Sequence, residues 1–149
     1  MDRYHDLAKK MPQLFDLDNN LDRLLILSLH NLNKYADSEK SSIFLFEPLN
    51  EQLTSFSSID LAKHEISIPK SCGVSGWVFQ HCKSAVVSDA YKDSRFYKRV
   101  DDMTGFKTHN LICTPLIGQK GKCLGTLQSL NKKNGDFTTA DLDLLDLAA

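Results

Sequence analysis

The sequence predicts an α+β domain: a central, mostly antiparallel sheet, short helices and loops over one face, and N- and C-terminal helices on the other. Three observations carry this. Leucine-rich segments at 18–36 and from about 138 onward have the period of helices packed along one side. Between them the pattern shifts to short β-branched and aromatic runs, as strands require. Gly, Pro and Asn clusters separate those runs at hairpin distances.

The elements follow in order. Residues 2–11 are weakly helical and stop at Pro12, so 1–17 reads as an N-terminal weak helix and linker. From 18 to 36, Leu17, Leu21 and Leu24 form one seam, and Leu25, Leu29, Leu32 and Ala36 a second beside it. That stripe is wider than one core-facing side needs. "LLIL" at 24–27 is apolar all round, which fits either packing on the domain from one side and a second copy on the other, or a helix simply well buried in the domain.

"SSIFLFE" (41–47) reads as a strand buried on both faces, and "LTSFSS" returns after the turn "PLNEQ" as its hairpin partner. "HEISIP" alternates, with Ile66 and Ile68 on one face, and ends at Pro69. "GVSGWVFQHC" (73–82) can form a short helix, and "SAVVSDA" a short strand. "YKDSRFYKRVDDM" is polar and partly helical, with Gly105 suited to a left-handed helix end. "NLICTPLI" and "CLGTLQSLNK" are strands joined by "GQKGK". "GDFTTADLDLLDLAA" closes with a helix that Thr138 or Thr139 could cap, with Asp141 in its first turn. The chain stops inside this apolar pattern, which predicts a truncated helix and a downstream output domain absent from the chain.

A net charge of −1 supplies no field to attract nucleic acid or an anionic membrane. There is no run of 18 apolar residues to span a bilayer and no signal-peptide core, which predicts a cytoplasmic protein. Cys72, Cys82, Cys113 and Cys123 contain no CxxC, so reduced thiols are expected. Cys72 precedes a helix N-terminus, where a thiolate is favoured, and a redox role is the competing reading there.

In this order and spacing, "SSIFLFE", "EISIPKSCGVSGWV", "VVSDAYKDSRFYKRVDDMTGFKTHNLICTPL" and "GTLQSLNKKNGDFTTAD" resemble a GAF domain over 18–149. More narrowly, the chain is similar to the GAF domains of cyclic-nucleotide phosphodiesterases and of certain bacterial adenylyl cyclases. Those carry Asn-Lys, then Phe, then Asp-Glu. Here Asn131, Lys132, Phe137 and Asp141 match, while Leu142 replaces the Glu. The resemblance implies a Lys132–Asp141 pair beneath the pocket, tying the last strand to the closing helix.

It also implies a ligand over the sheet, under the short helices, with a phosphate against a helix N-terminus. Free N–H groups of a first helical turn attract an anion. The matching place is Gly73-Val74-Ser75-Gly76, where Val74 and Ser75 would offer N–H groups, the two glycines would allow close approach, and Ser75 could add its hydroxyl. Ser42 matches a strand residue that reads a base edge, and Tyr97 an aromatic beside phosphate and ribose. Asp101, Thr104 and Thr108 match polar lining on a lid helix and the strand after it. Each has a plainer alternative: Ser42 a strand start, Tyr97 a core edge, Asp101 and Thr104 local caps.

The five histidines form no HExxH and show no metal spacing with a carboxylate or cysteine. "GVSGW" falls one residue short of a nucleophile elbow. There is no P-loop and no GxGxxG, and no Cys-His dipeptide for a covalent bilin. No catalytic residue, metal or cofactor is expected in the chain itself; the parent could be a phosphodiesterase, cyclase or histidine kinase. Two functions remain. One is a regulatory module that senses a small molecule, with a cyclic purine nucleotide (cAMP or cGMP) as the best single ligand, and dimerises through its terminal helices. The other is a ligand-free dimerisation module. A remote third is reduction of free methionine sulfoxide, with Cys72 and Cys113 as the nearest cysteines.

Overall fold

The computed structural model describes residues 21–57, 66–118 and 120–148, with the side chains of 21–27, 56–57, 103–104 and 147–148 left aside. The segment at 2–11, Leu17, and the seam and "LLIL" side chains before Ser28 therefore lie outside the described residues.

Helix α1 (Leu21–Ala36) leads into β1 (Ser38–Glu47), β2 (Gln52–Ser57) and β3 (Ser67–Pro69). Helix α2 (Gly73–His81) and β4 (Ala85–Val87) follow, then a 3-10 turn (Ala90–Lys92) and α3 (Lys98–Thr104). Strands β5 (Leu111–Ile117) and β6 (Cys123–Lys132) and helix α4 (Thr139–Ala148) complete the order. The six strands form one sheet in the order β3-β2-β1-β6-β5-β4, antiparallel at every pairing. This is the α+β architecture read from the sequence. No helix among the described residues is long and apolar enough to cross a membrane.

The period-2 rule sorts the sheet into two faces. Opposed pairs share a face: Lys40 with Leu130, Ser42 with Gln128, and Phe44 with Ser55. The alternate residues Ile43, Leu127 and Ile112 turn to the other face. There they meet Leu29, Leu32 and Ala36 of α1, and Leu144 and Leu145 of α4, in one core. The i, i+3, i+7 spacing of the α1 residues places them on one stripe. On the opposite face, α2 drops Val74 and Val78 onto Leu111, Cys113 and Leu130. A neighbouring cluster joins Phe44, Leu53, Ile66 and Ile68 to Tyr97 and Val100.

Two local features fix the frame. Gly125 on β6 faces the Phe44 carbonyl so closely that a Cβ there would collide with it, so β1 and β6 pair only around a glycine. Thr138 and Asp141 cap α4 reciprocally: the Asp141 carboxylate accepts from Thr138 N–H at 2.8 Å and the Thr138 hydroxyl accepts from Asp141 N–H at 3.4 Å.

Two boundaries differ from the sequence reading. Strand β1 begins at Ser38, three residues before Ser41, because Ser38, Lys40 and Ser42 continue the alternation with polar side chains. Strand β5 begins at Leu111, so Thr108 stands in the connection after α3 rather than opening the strand.

Candidate ligand site

The second face of the sheet is not fully covered. Between it, α2 and α3 lies a cavity of about 320 Å³, within the ~300–1,000 Å³ typical of small-molecule sites. Its floor is Lys40, Ser42 and Phe44 of β1, Ser55 of β2, and Gln128 and Leu130 of β6. Its roof is the first turn of α2, Phe96, Tyr97 and the α3 segment through Phe106 and Thr108. Of the residues expected to line a pocket, Ser42, Gly73, Val74, Ser75, Tyr97, Asp101 and Thr108 all do so. The Thr104 side chain lies outside the described residues.

The start of α2 has the form of an anion cradle. Cys72 is extended, Gly73 takes a left-handed φ of 76°, and the first helical bond is from Gly76 N–H to Cys72 O at 3.1 Å. That leaves the N–H groups of Gly73, Val74 and Ser75 without a carbonyl of the helix to bond. A left-handed residue before a helical one bunches such groups into a concave nest. Only glycine adopts this φ readily, and a Cβ at Gly73 would sit 3.3 Å from Tyr97 Cβ.

Two expectations for this segment need correction. The Ser75 hydroxyl is not free for a ligand: it donates to Gln128 Oε1 at 3.0 Å and so pins α2 to β6. Gly76 does not serve ligand approach either. It is buried against the loop before α2, and a Cβ there would lie 2.8 Å from Lys70 O.

Asp101 neither caps a helix nor faces solvent. It is 7% exposed. One carboxylate oxygen accepts from Tyr91 Oη and from Thr108 N–H, both at 2.7 Å. The other accepts from Thr108 Oγ1 at 2.8 Å. The carboxylate thus clasps α3 to the chain entering β5. Its hydrogen bond with Tyr91 pushes that phenol up to about 12. Gly105 ends α3 at φ 73°, its N–H bonded to Asp101 O, as the sequence predicts.

Beyond the clasp, Asn131 holds the same connection. Its Oδ1 accepts from His109 N–H at 2.6 Å, and its Nδ2 donates to Lys107 O at 2.9 Å and Glu39 Oε2 at 3.1 Å. Lys132, next along, faces the terminal helices. Its ammonium donates to Ala36 O and to Asp141 Oδ1, both at 2.8 Å, and lies 5.8 Å from the Phe137 ring centre. Burial alone would raise the Asp141 carboxyl; the Lys132 and Thr138 bonds outweigh it and hold the group below the ordinary carboxylate value. Leu142, where a Glu was expected, packs against the α1–α4 core.

Arg95 braces the roof from outside. It forms a two-pronged pair with Asp93, at 3.0 Å from Nε and 2.8 Å from Nη2, and stacks over Trp77 of α2 at 4.6 Å. The Arg95 bonds hold the Asp93 carboxyl low.

Lys40 is the charged floor residue, and the sequence reading did not include it. It is 9% exposed, and its ammonium lies 4.9 Å from the Phe106 ring centre. Burial pushes its pKa down, partly opposed by the nearby Asp101 charge. The signal was available: Lys40 is two residues before Ser42 and shares its face once the strand extends upstream. Gln128 was missed because its role depends on Ser75, 53 residues away in sequence.

No cysteine is among the residues that line the cavity. Cys113 is wholly buried, and burial drives its thiol up to about 12. This counts against the methionine sulfoxide reading, which paired it with Cys72.

A sequence model of the GAF domain matches residues 18–149. The chain is 30% identical over 118 residues to a dual 3',5'-cyclic-AMP and -GMP phosphodiesterase 11A of Takifugu rubripes, covering 71% of this chain and 13% of that protein. It is 32% identical over 114 residues to a cGMP-specific 3',5'-cyclic phosphodiesterase of Drosophila melanogaster, covering 75% and 10%. A probable 3',5'-cyclic phosphodiesterase of Caenorhabditis elegans is 27% identical over 143 residues, covering 87% and 19%. The chain thus spans less than a fifth of each of these relatives. Among solved structures, the GAF domain of a phosphoenolpyruvate-protein phosphotransferase from Coxiella burnetii superposes with TM-score 0.81 at 18% identity, covering 98% of this chain and 88% of that one. A free methionine-R-sulfoxide reductase from Neisseria meningitidis superposes with TM-score 0.76 at 19% identity, covering 97% and 83%; at such identity the likeness speaks for the fold alone. With the family model matching over residues 18–149 and the sheet and helices arranged as described, the chain belongs to the GAF domain family.

Proposed function

We infer that this GAF domain is a regulatory sensor: it binds a small ligand in the cavity, best a cyclic purine nucleotide, and carries no catalytic step itself. The observation that carries this reading is the convergence of the Gly73–Ser75 N–H nest, Ser42 and Tyr97 on one roofed cavity. The nest suits a singly charged phosphate, and a floor that mixes polar groups with Phe44 and Leu130 suits a flat base with polar edges. Relatives named as cyclic phosphodiesterases add support, since their names specify cyclic AMP and cyclic GMP.

The bound state would be relayed as a population shift. Ligand contacts favour the closed α3 roof, and the connection at 107–110 runs through Asn131 into β6 and on to Lys132, α1 and α4. An output domain, such as a phosphodiesterase catalytic domain elsewhere in the parent chain, would read the terminal helices, and those helices would also form a homodimer seam.

The test is a titration with cyclic AMP and cyclic GMP while following the melting temperature. A ligand at 100 times its dissociation constant stabilises the folded state by ~2.7 kcal/mol. The expected result is a concentration-dependent rise with at least one of them. No shift with either at millimolar concentration overturns the reading. Sedimentation showing only monomer at high concentration would remove the homodimer.

A further inference from the structure

The cavity holds one buried cation whose partners do not account for it. Lys40 points from β1 into the cavity under Phe106, and forms no ion pair among the described residues. Asp101 is close enough to offset part of its charge. Yet no hydrogen bond joins the two: the Asp101 oxygens accept instead from Tyr91 Oη, Thr108 N–H and Thr108 Oγ1. Phe106 offers only a ring face. An ammonium has three donors and no acceptor, and a buried donor left unmade is costly. A ligand acceptor in the cavity would satisfy it.

Position separates this locus from the nest. Lys40 and Ser42 stand two residues apart on one face of β1, roughly 7 Å along the strand. The α2 start lies over the next row of the floor, where Ser75 bonds Gln128 opposite Ser42. With the phosphate taken to sit in the nest over the Ser42–Gln128 row, the rest of a nucleotide would extend along the floor toward Lys40.

We propose that Lys40 is the specificity-determining residue of this cavity, and that it selects a cyclic nucleotide with a 6-oxopurine over one with a 6-aminopurine. The proposal rests on the cyclic-nucleotide reading above and goes beyond it. A guanine-type base presents O6 and N7, two adjacent acceptors, to a donor-only group. Adenine sets an amino donor beside each acceptor on that side, so the ammonium meets one match and one clash. Asp101 offsets part of the Lys40 charge, so the ligand group opposite can be a neutral carbonyl.

The experiment is equilibrium calorimetry with the cyclic 3',5'-monophosphates of guanosine, inosine and adenosine, on the unchanged chain and on Lys40→Met and Lys40→Arg. Inosine carries the 6-oxo group without the 2-amino group of guanosine. The expected result is guanosine and inosine forms binding about tenfold or more tighter than the adenosine form. Lys40→Met, which keeps the apolar stem, should bring the three to near equality, and Lys40→Arg should keep the order. Equal or tighter binding of the adenosine form to the unchanged chain overturns the proposal, and needs no variant to fold. So does a preference that survives in folded Lys40→Met, or tight binding of the guanosine form alone. Binding by none of the three overturns the cyclic-nucleotide reading and this inference with it.

Discussion

The Lys132 ammonium lies 2.8 Å from the Asp141 carboxylate, with the Asp141 side chain only 2% exposed. The same ammonium donates to Ala36 O at the end of α1. One cation therefore joins the last strand to both terminal helices. Removing either partner leaves a buried charge uncompensated, which costs ~3–5 kcal/mol. Lys132→Met and Asp141→Asn should each lower unfolding stability on that scale in urea titrations. Their effects should be strongly non-additive in the double mutant. The Asp141 carboxyl is held low in the folded state, so its contribution is present above the ordinary carboxylate value of 3.8 and is lost as pH falls through the lower folded value. The acid limb of the stability profile should flatten in Asp141→Asn.

The Asp101 clasp predicts a locally opened roof when it is removed. Asp101→Ala forfeits three hydrogen bonds and strands the Thr108 N–H, a loss of ~2–4 kcal/mol. Hydrogen exchange should accelerate across 98–108 and stay unchanged in β6. Tyr91 gives a pH readout of the same clasp. Its phenol is raised to about 12, chiefly by its bond to Asp101, so that bond is intact below the ordinary value of 10.0 and fades as pH rises toward 12. Ultraviolet absorbance titration should show a tyrosinate forming above the ordinary value of 10.0, and Tyr91→Phe should remove that late step.

Two glycines should respond differently to alanine. Gly125→Ala drives a methyl into the Phe44 carbonyl at the centre of the sheet, where neither strand can give way. The expected loss is more than ~4 kcal/mol or failure to fold, read by chemical denaturation. Gly73→Ala meets a left-handed φ and a neighbour at 3.3 Å, an effect of ~1–3 kcal/mol. It also distorts the N–H nest, so ligand-induced stabilisation should fall in the folded variant.

Thiol chemistry should divide the cysteines by exposure. Cys113 is buried with its thiol raised to about 12, whereas Cys82 is exposed at the end of α2. Iodoacetamide at neutral pH should modify Cys82 first and leave Cys113 unmodified until the chain unfolds, as peptide mass spectrometry would resolve. Early labelling of Cys113 would contradict the packing of α2 on β5.

Much of the fold was legible because its patterns are local. The hairpin signal "GQKGK" sets off "CLGTLQSLNK" as β6 with its observed ends, and Gly105 marks the end of α3. Lys132 and Asp141 could be paired in advance from their likeness to a family signature. The site was legible as a set of positions but not as a set of roles. Ser75 shows a hydroxyl in the sequence; its acceptor, Gln128, becomes a neighbour only when α2 lies across the sheet. Asp101 shows a carboxylate; three donors from two other segments convert it from a ligand contact into a clasp. Lys40 was passed over because a charged residue reads as the end of a buried strand, whereas here the strand runs on beneath a cavity.

The pairing of β1 with β6 at the middle of the sheet also constrains how the chain can be made. The buried Ser41–Ser129 hydroxyl contact joins residues 88 positions apart. A nascent chain emerging from a ribosome can close the β1–β2 hairpin early. It cannot form the central seam until β6 has cleared the exit tunnel. Until then both inner edges of the sheet are open, and translation speed over the intervening stretch sets how long they stay so.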